Sequence, residues 1–90
     1  MKTIRYTGKF KKDLKRFLNN PKKLQALNEV INMLKQEIPL PDKYQQHTLQ
    51  GNYANCYECH IEGDFLLIWI DETTDTIALV RLGSHSELFK

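Results

Sequence analysis

No run of about 18 apolar residues, the minimum for a membrane-crossing helix, occurs in the chain. The longest apolar stretch, FLLIWI at 65–70, has the length of a strand. The opening MKTIRYTGKFKKDLK lacks the apolar middle of a secretory leader, so a cytoplasmic protein without membrane contact is expected. Cysteine is scarce, 2 in 90 residues, and without a leader both are expected to be reduced. Glycine (4) and proline (3) are sparse, and no repeat or linker divides the chain, so one domain over residues 1–90 is expected.

Acidic residues are nearly missing from the first part. Residues 1–35 hold ten Lys or Arg against Asp13 and Glu29, a balance of +8, and residues 36–90 carry −6. A basic half of this kind is either a solvated helix surface or the footprint of a polyanion or acidic partner.

What is present reads as an α+β fold. KTIRYT at 2–7 has strand character, and Gly8 breaks it. Phe10, Leu14, Phe17 and Leu18 then recur at helical spacing, with Lys11, Lys12, Lys15 and Arg16 on the other face. Asn20 and Pro21 form a cap and first turn for a second helix. Leu24, Leu27, Ile31 and Leu34 line that helix, which IPLP ends near Glu37. A loop over 39–52 leads to three strand-like runs, at 53–61, 65–70 and 76–82, joined by turns at EGD and DETTD. Regular alternation sets Ile77, Leu79 and Arg81 on one face of the last strand. The order β-α-α-β-β-β predicts two helices on one face of an antiparallel sheet, with the first strand at an edge and the other face open.

CYECH at 56–60 has the spacing of a covalent haem site and of half a zinc site or redox dithiol. On a strand, however, Cys56 and Cys59 fall on opposite faces and cannot share one ion. Cys59 is expected beneath the sheet with Tyr57 and Ile61, leaving Glu58, His60 and Glu62 on the opposite face. The sequence has no second CxxC, and no metal or cofactor is expected.

Histidine occurs three times, at 47, 60 and 85. Singly, each reads as a surface residue or a partner for a carboxylate. Together they lie where a loop, a strand and the end of the last strand converge on the open face, near Asp64 and Arg81. Two imidazoles, a carboxylate and a guanidinium suit RNA phosphodiester cleavage. RNA supplies its own 2′-hydroxyl nucleophile, and imidazole can act as base or acid near neutral pH. Arg81 would stabilise the phosphorane-like transition state, and an exposed Phe65 or Phe89 would stack on a base.

HTLQGNY at 47–53, CHIEGDFLLIW at 59–69, RLGSHSELF at 81–89 and YTGKFKKDLKR at 6–16 together resemble the YafQ branch of the RelE-type toxins, over essentially the whole chain. The resemblance implies a RelE-like small RNase fold. It also implies the toxin of a type II toxin–antitoxin pair, a ribosome-dependent endonuclease that cuts mRNA at A-site codons. The family's catalytic positions fall on His47, His60, His85 and Asp64, with His85 as proton donor and the other three sharing abstraction and positioning. Arg81, Phe65 and Phe89 match its RNA-contacting positions. Lys9, Lys11, Lys12, Lys15, Arg16, Lys22 and Lys23 would then face ribosomal RNA. The implied partners are a cognate antitoxin, the ribosome and mRNA, with operator DNA met only through the antitoxin.

The sequence departs from the family at Tyr57, where many relatives carry Arg and a possible phosphate contact, and at Gly63, where many carry Pro in the turn presenting Asp64. A gyrase-directed toxin of the ParE type shares the architecture but lacks the histidine set. A non-catalytic interaction module would leave the histidines incidental.

Overall fold

The computed structural model describes residues 1–72 and 74–89. Strand β1 (Thr3–Tyr6) is followed by helix α1 (Gly8–Leu14), a 3-10 turn at Lys15–Phe17 and helix α2 (Pro21–Lys35). The remainder is β2 (His47–Thr48), β3 (Tyr57–Glu62), β4 (Phe65–Glu72), β5 (Thr76–Gly83) and a short helix α3 (His85–Leu88). Single 3-10 turns flank β2 at Asp42–Tyr44 and Gly51–Tyr53. The sheet has five strands in the order β1-β5-β4-β3-β2.

The helix limits follow local chemistry. The Thr7 side chain caps α1 by accepting the Phe10 N–H at 3.2 Å, and its hydroxyl donates to Leu79 O at 2.8 Å, pinning the helix start to β5. Asn20 and Pro21 start α2 as the sequence indicates, with Asn20 Oδ1 accepting the Lys23 N–H. The last turn closes when Ile38 N donates to Met33 O and Glu37 N to Leu34 O, with Glu37 at φ 60.

Phe10, Leu27, Val30 and Leu34 from the helices pack on Cys59, Ile61, Phe65, Leu67, Trp69, Ile77, Leu79 and Leu82 of the sheet. The opposite face carries a smaller cluster of Cys56, Leu66, Ile68 and Leu88, edged by Leu49, Tyr53, Ile70 and Val80. That face is therefore half covered by α3 and the 49–56 segment rather than fully open.

Four further expectations are corrected. The sheet is mixed, because β1 lies parallel to β5; a four-residue strand carries no pattern that reports direction. Part of the 39–52 loop is strand β2, whose two residues are too few for periodicity to register. Strand β3 begins at Tyr57 rather than Tyr53, since the chain turns at 51–53 and Asn55 takes φ 72. Finally, β5 holds a bulge: Trp69 pairs with Leu79 but Ile68 with Arg81. The extra residue sends Leu82 into the helix-side core and turns Arg81 to the other face, breaking the alternation read from Ile77 and Leu79. The turn at EGD forms with Gly63 at φ 50, whereas the DETTD turn includes Thr73, outside the described residues.

Candidate active site

Register alone builds the floor of the site. His47 pairs with Glu58, Glu58 with Ile68, and Ile68 with Arg81. Directly opposed residues share a face, so His47, Glu58 and Arg81 stand in one row across four strands. In the next row His60 pairs with Leu66, and Leu66 with Gly83. The chain then turns into α3, whose first residue is His85. Ser84 caps α3: its hydroxyl accepts the Glu87 N–H, and Glu87 Oε1 accepts the Ser84 N–H at 2.8 Å. Gly83 takes φ 154 at this junction, a conformation that side chains rarely adopt, and a Cβ there would also push on Glu87 Oε1, 2.8 Å away.

The three imidazoles come together. Ring centroids are 6.3 Å apart for His47 and His60, and 5.6 Å for His60 and His85. The train continues through Phe89, 5.7 Å from His85, to Tyr53, edge-on to Phe89 at 5.6 Å. Phe89 is exposed, as a base-stacking residue requires.

Each ring is held by Nδ1. His47 Nδ1 lies 2.8 Å from Gln45 O, His60 Nδ1 3.3 Å from Gly63 O, and His85 Nδ1 2.9 Å from Asp64 Oδ1. Carbonyl oxygens only accept, so in His47 and His60 the Nδ1 carries the proton and donates it. Asp64 Oδ1 also accepts the His85 backbone N–H at 3.0 Å. That bond first, and the imidazole second, hold the Asp64 carboxyl below the usual carboxylate range.

Glu58 lies beneath the rings, 1% exposed. Its Oε1 is 3.0 Å from His47 Nε2 and 4.0 Å from His60 Nε2, and among the described residues its buried Oε2 has no partner. Glu58, His60 and His85 each offer a donor atom within 4.8 Å of the others, a spacing able to hold a metal ion.

Arg81 reaches the site face but is not free. Its Nε and Nη2 donate to Asp13 at 2.7 and 3.2 Å, and its Nη1 donates to the Tyr53 hydroxyl at 3.2 Å. Asp13, on α1 beyond the end of β1, also accepts the Leu82 N–H at 3.0 Å and a bond from Arg16. Burial alone would raise the Asp13 carboxyl; the bonds from Arg81, Leu82 and Arg16 outweigh it and hold the group below its usual range. Of the five guanidinium N–H groups of Arg81, two remain uncommitted among the described residues.

Phe65 is the site residue that the structure removes. It is 2% exposed, with its ring 4.8 Å from Phe17. Leu66 faces the histidines, so alternation turns Phe65 to the helices, where it cannot stack on a base. Tyr57 likewise stacks on Trp69 at 5.7 Å on the helix side, away from the histidines and from any phosphate they would hold. Among the basic residues, Arg16 is tied to Asp13, Leu82 O and Glu87, and Lys23 lies over the Phe17 and Phe65 rings. Lys9, Lys11, Lys12, Lys15 and Lys22 are exposed.

Cys56 and Cys59 sit in the two different clusters, on opposite faces of the sheet. Burial pushes the Cys59 thiol up to about 12, far from the thiolate that metal or redox chemistry needs. Glu58, Asp13, Gln45 and Tyr53 join the site through contacts that the sequence pattern does not single out. Only Glu58 left a signal, as a carboxylate sharing a strand face with His60.

The sequence model of the family described as the bacterial toxin of type II toxin–antitoxin system, YafQ, matches residues 2–90. The chain is similar to the mRNA interferase toxin YafQ of Escherichia coli K12, with 32% identity over 87 residues, 96% of this chain and 94% of that one. The crystal structure of a metal-bound toxin from Helicobacter pylori superposes with a TM-score of 0.89 at 44% identity, covering 99% of this chain and all of the other. YafQ in the E. coli DinJ–YafQ complex gives a TM-score of 0.85 at 31% identity, with both chains covered in full. The chain therefore belongs to the YafQ family of bacterial toxins of type II toxin–antitoxin systems, whose E. coli members are mRNA interferases, that is, endoribonucleases.

Proposed function

We propose that the chain is a one-domain, ribosome-dependent mRNA endonuclease that cuts A-site codons by acid–base catalysis. The observation that carries this reading is the train of imidazoles His47, His60 and His85, with Asp64 bonded behind His85. A base on the His47–His60 side removes the 2′-hydroxyl proton of RNA, and the freed 2′-oxygen attacks the adjacent phosphorus. The bond to the 5′-oxygen breaks, and His85 returns a proton to that leaving group. A 2′,3′-cyclic phosphate and a 5′-hydroxyl result. Asp64 holds the His85 ring through Nδ1 and so orients it for the acid role.

Arg81 offers its two remaining N–H groups to the phosphate, and Phe89 stacks on a neighbouring base. The exposed lysines of α1 and α2, with the rest of the basic set, give sequence-independent affinity for ribosomal RNA. Ribosome dependence places the work in the cytoplasm. The E. coli relative is found with DinJ; by analogy this chain takes a cognate antitoxin and meets operator DNA only through it.

The H. pylori relative is metal-bound, and the donors here fit an ion at Glu58, His60 and His85, where Glu58 Oε2 is buried and unpartnered. Such an ion would supply a fixed positive charge and occupy imidazole lone pairs. The proposed chemistry needs none, so chelation should leave the rate unchanged apart from effects on the ribosome itself.

The test is primer extension on a translated message with the wild type and His85→Ala. In-frame cuts that vanish in the variant support the proposal, as does a bell-shaped pH profile. Undiminished growth arrest by His85→Ala would make the chain an interaction module, and gyrase-dependent DNA breaks without mRNA cleavage would make it a ParE-like toxin.

A further inference from the structure

We propose that Glu58 is a positioning residue that divides the labour among the histidines. It engages His47 Nε2, so His60 is left as the base that takes the 2′-hydroxyl proton. This rests on the acid–base reading above and assigns the roles which that reading leaves shared.

The assignment follows from what each nitrogen faces. The Nδ1 atoms of His47 and His60 both donate to backbone carbonyls, so only Nε2 can offer a lone pair in either ring. His47 Nε2 sits 3.0 Å from Glu58 Oε1, a hydrogen-bond distance at which a proton must lie between the two atoms. A nitrogen so engaged has no lone pair for substrate. His60 Nε2 is 4.0 Å from the same oxygen, beyond hydrogen-bond reach, and stays open. His60 and His85 also differ in what stands behind them. His60 is backed by the neutral Gly63 carbonyl and His85 by the Asp64 side chain. Base and acid are thereby set on adjacent rings whose centroids are 5.6 Å apart.

The setting of Glu58 points the same way. A carboxylate 1% exposed, on a strand face shared with Leu66 and Ile68, has one oxygen on His47 and, among the described residues, no partner for the other. Burying such a group costs stability that an apolar side chain would not. A purely structural role does not account for a carboxylate there, whereas control of the His47 ring does.

The experiment pairs histidine 15N NMR on the free toxin with cleavage on programmed ribosomes, for the wild type, Glu58→Gln, His47→Ala and His60→Ala. In wild type, His47 Nε2 should report a hydrogen-bonded proton. In Glu58→Gln the side-chain amide can donate instead, and the His47 signal should change while the His60 signal stays. Glu58→Gln should lower kcat about 100-fold with KM unchanged, and its Tm should match or exceed the wild type. His60→Ala should lose more of kcat than His47→Ala. A wild-type His47 Nε2 resonance of a free lone pair overturns the proposal, as does an undiminished kcat in Glu58→Gln or a Tm that falls in step with activity. The NMR arm needs no substrate, so it separates this proposal from the functional reading, which fails instead if His85→Ala cleaves normally.

Discussion

Asp64 Oδ1 touches His85 twice, taking its backbone N–H at 3.0 Å and its Nδ1 at 2.9 Å. One oxygen thus fixes both the start of α3 and the orientation of the imidazole. Replacing Asp64 by Asn keeps an acceptor but removes the charge beside His85 Nδ1. Asp64→Asn should lower kcat about 100-fold with an unchanged Tm. The Asp64 carboxyl is held below its usual range by its bonds from the His85 N–H and imidazole, so it stays ionised at neutral pH. Any acid limb of the wild-type rate profile near neutral pH should therefore persist in the variant. A limb that disappears would assign that ionisation to Asp64.

Asp13 ties α1 to β5 through Arg81 and the Leu82 N–H. Breaking a buried pair on one side leaves the other charge uncompensated, so Asp13→Asn should cost about 3 kcal/mol at pH 7. The sign with pH follows from a depressed carboxyl. Its contribution is present above the unfolded value, about 3.9, and is lost as pH falls through the lower folded value. Urea unfolding of both proteins should show a gap that is constant near neutrality and narrows below about pH 4. A gap that does not narrow would mean that the charge of Asp13 does not stabilise the fold.

Phe65 and Phe89 should separate cleanly. Phe65 fills the core against Phe17, and truncation to Ala should cost about 3–5 kcal/mol of stability. Phe89 is exposed beside His85, so Phe89→Ala should leave Tm nearly unchanged and weaken RNA engagement by about 1–3 kcal/mol, seen as a raised KM. Thermal melts and cleavage kinetics on the two variants check this. The reverse pattern would put Phe65 back in the site.

Gly63 adopts φ 50 with open space where a Cβ would stand. Proline is locked near about −65° and cannot take that conformation. Gly63→Pro should therefore displace both Asp64 and the carbonyl that holds His60, lowering Tm and abolishing most cleavage. Gly63→Ala meets only the left-handed backbone penalty, about 1 kcal/mol, and should keep most activity. If the Pro variant is as stable and active as wild type, the turn described for Gly63 is wrong.

The histidines show what single-chain patterns carry. Their rarity, their chemistry and the motifs around them were legible, and so was the division of Cys56 from Cys59 by strand alternation. The helices were legible from apolar spacing and from Asn20–Pro21, because caps and stripes act over a few residues. Regular alternation groups Arg81 with Ile77 and Leu79, which pack under the helices, and only the bulge opposite Ile68 and Trp69 separates it from them. Phe65 looked like a site residue because it follows Asp64, yet one step along a strand reverses the face. Glu58 stayed out of the site reading because its partner His47 lies on a two-residue strand whose register no periodicity reports.

The amino-acid order by itself determined the helices, the meander, the basic half and the supply of imidazoles, since each depends on neighbours within a turn or a hairpin. Tertiary structure alone decided which nitrogen faces which oxygen, that Asp13 engages Arg81, and that Glu58 lies buried beneath the rings. Those outcomes depend on strand register, one bulge and a parallel edge strand. They join residues as many as 69 positions apart, as Asp13 and the Leu82 N–H show, and local sequence does not encode contacts of that separation.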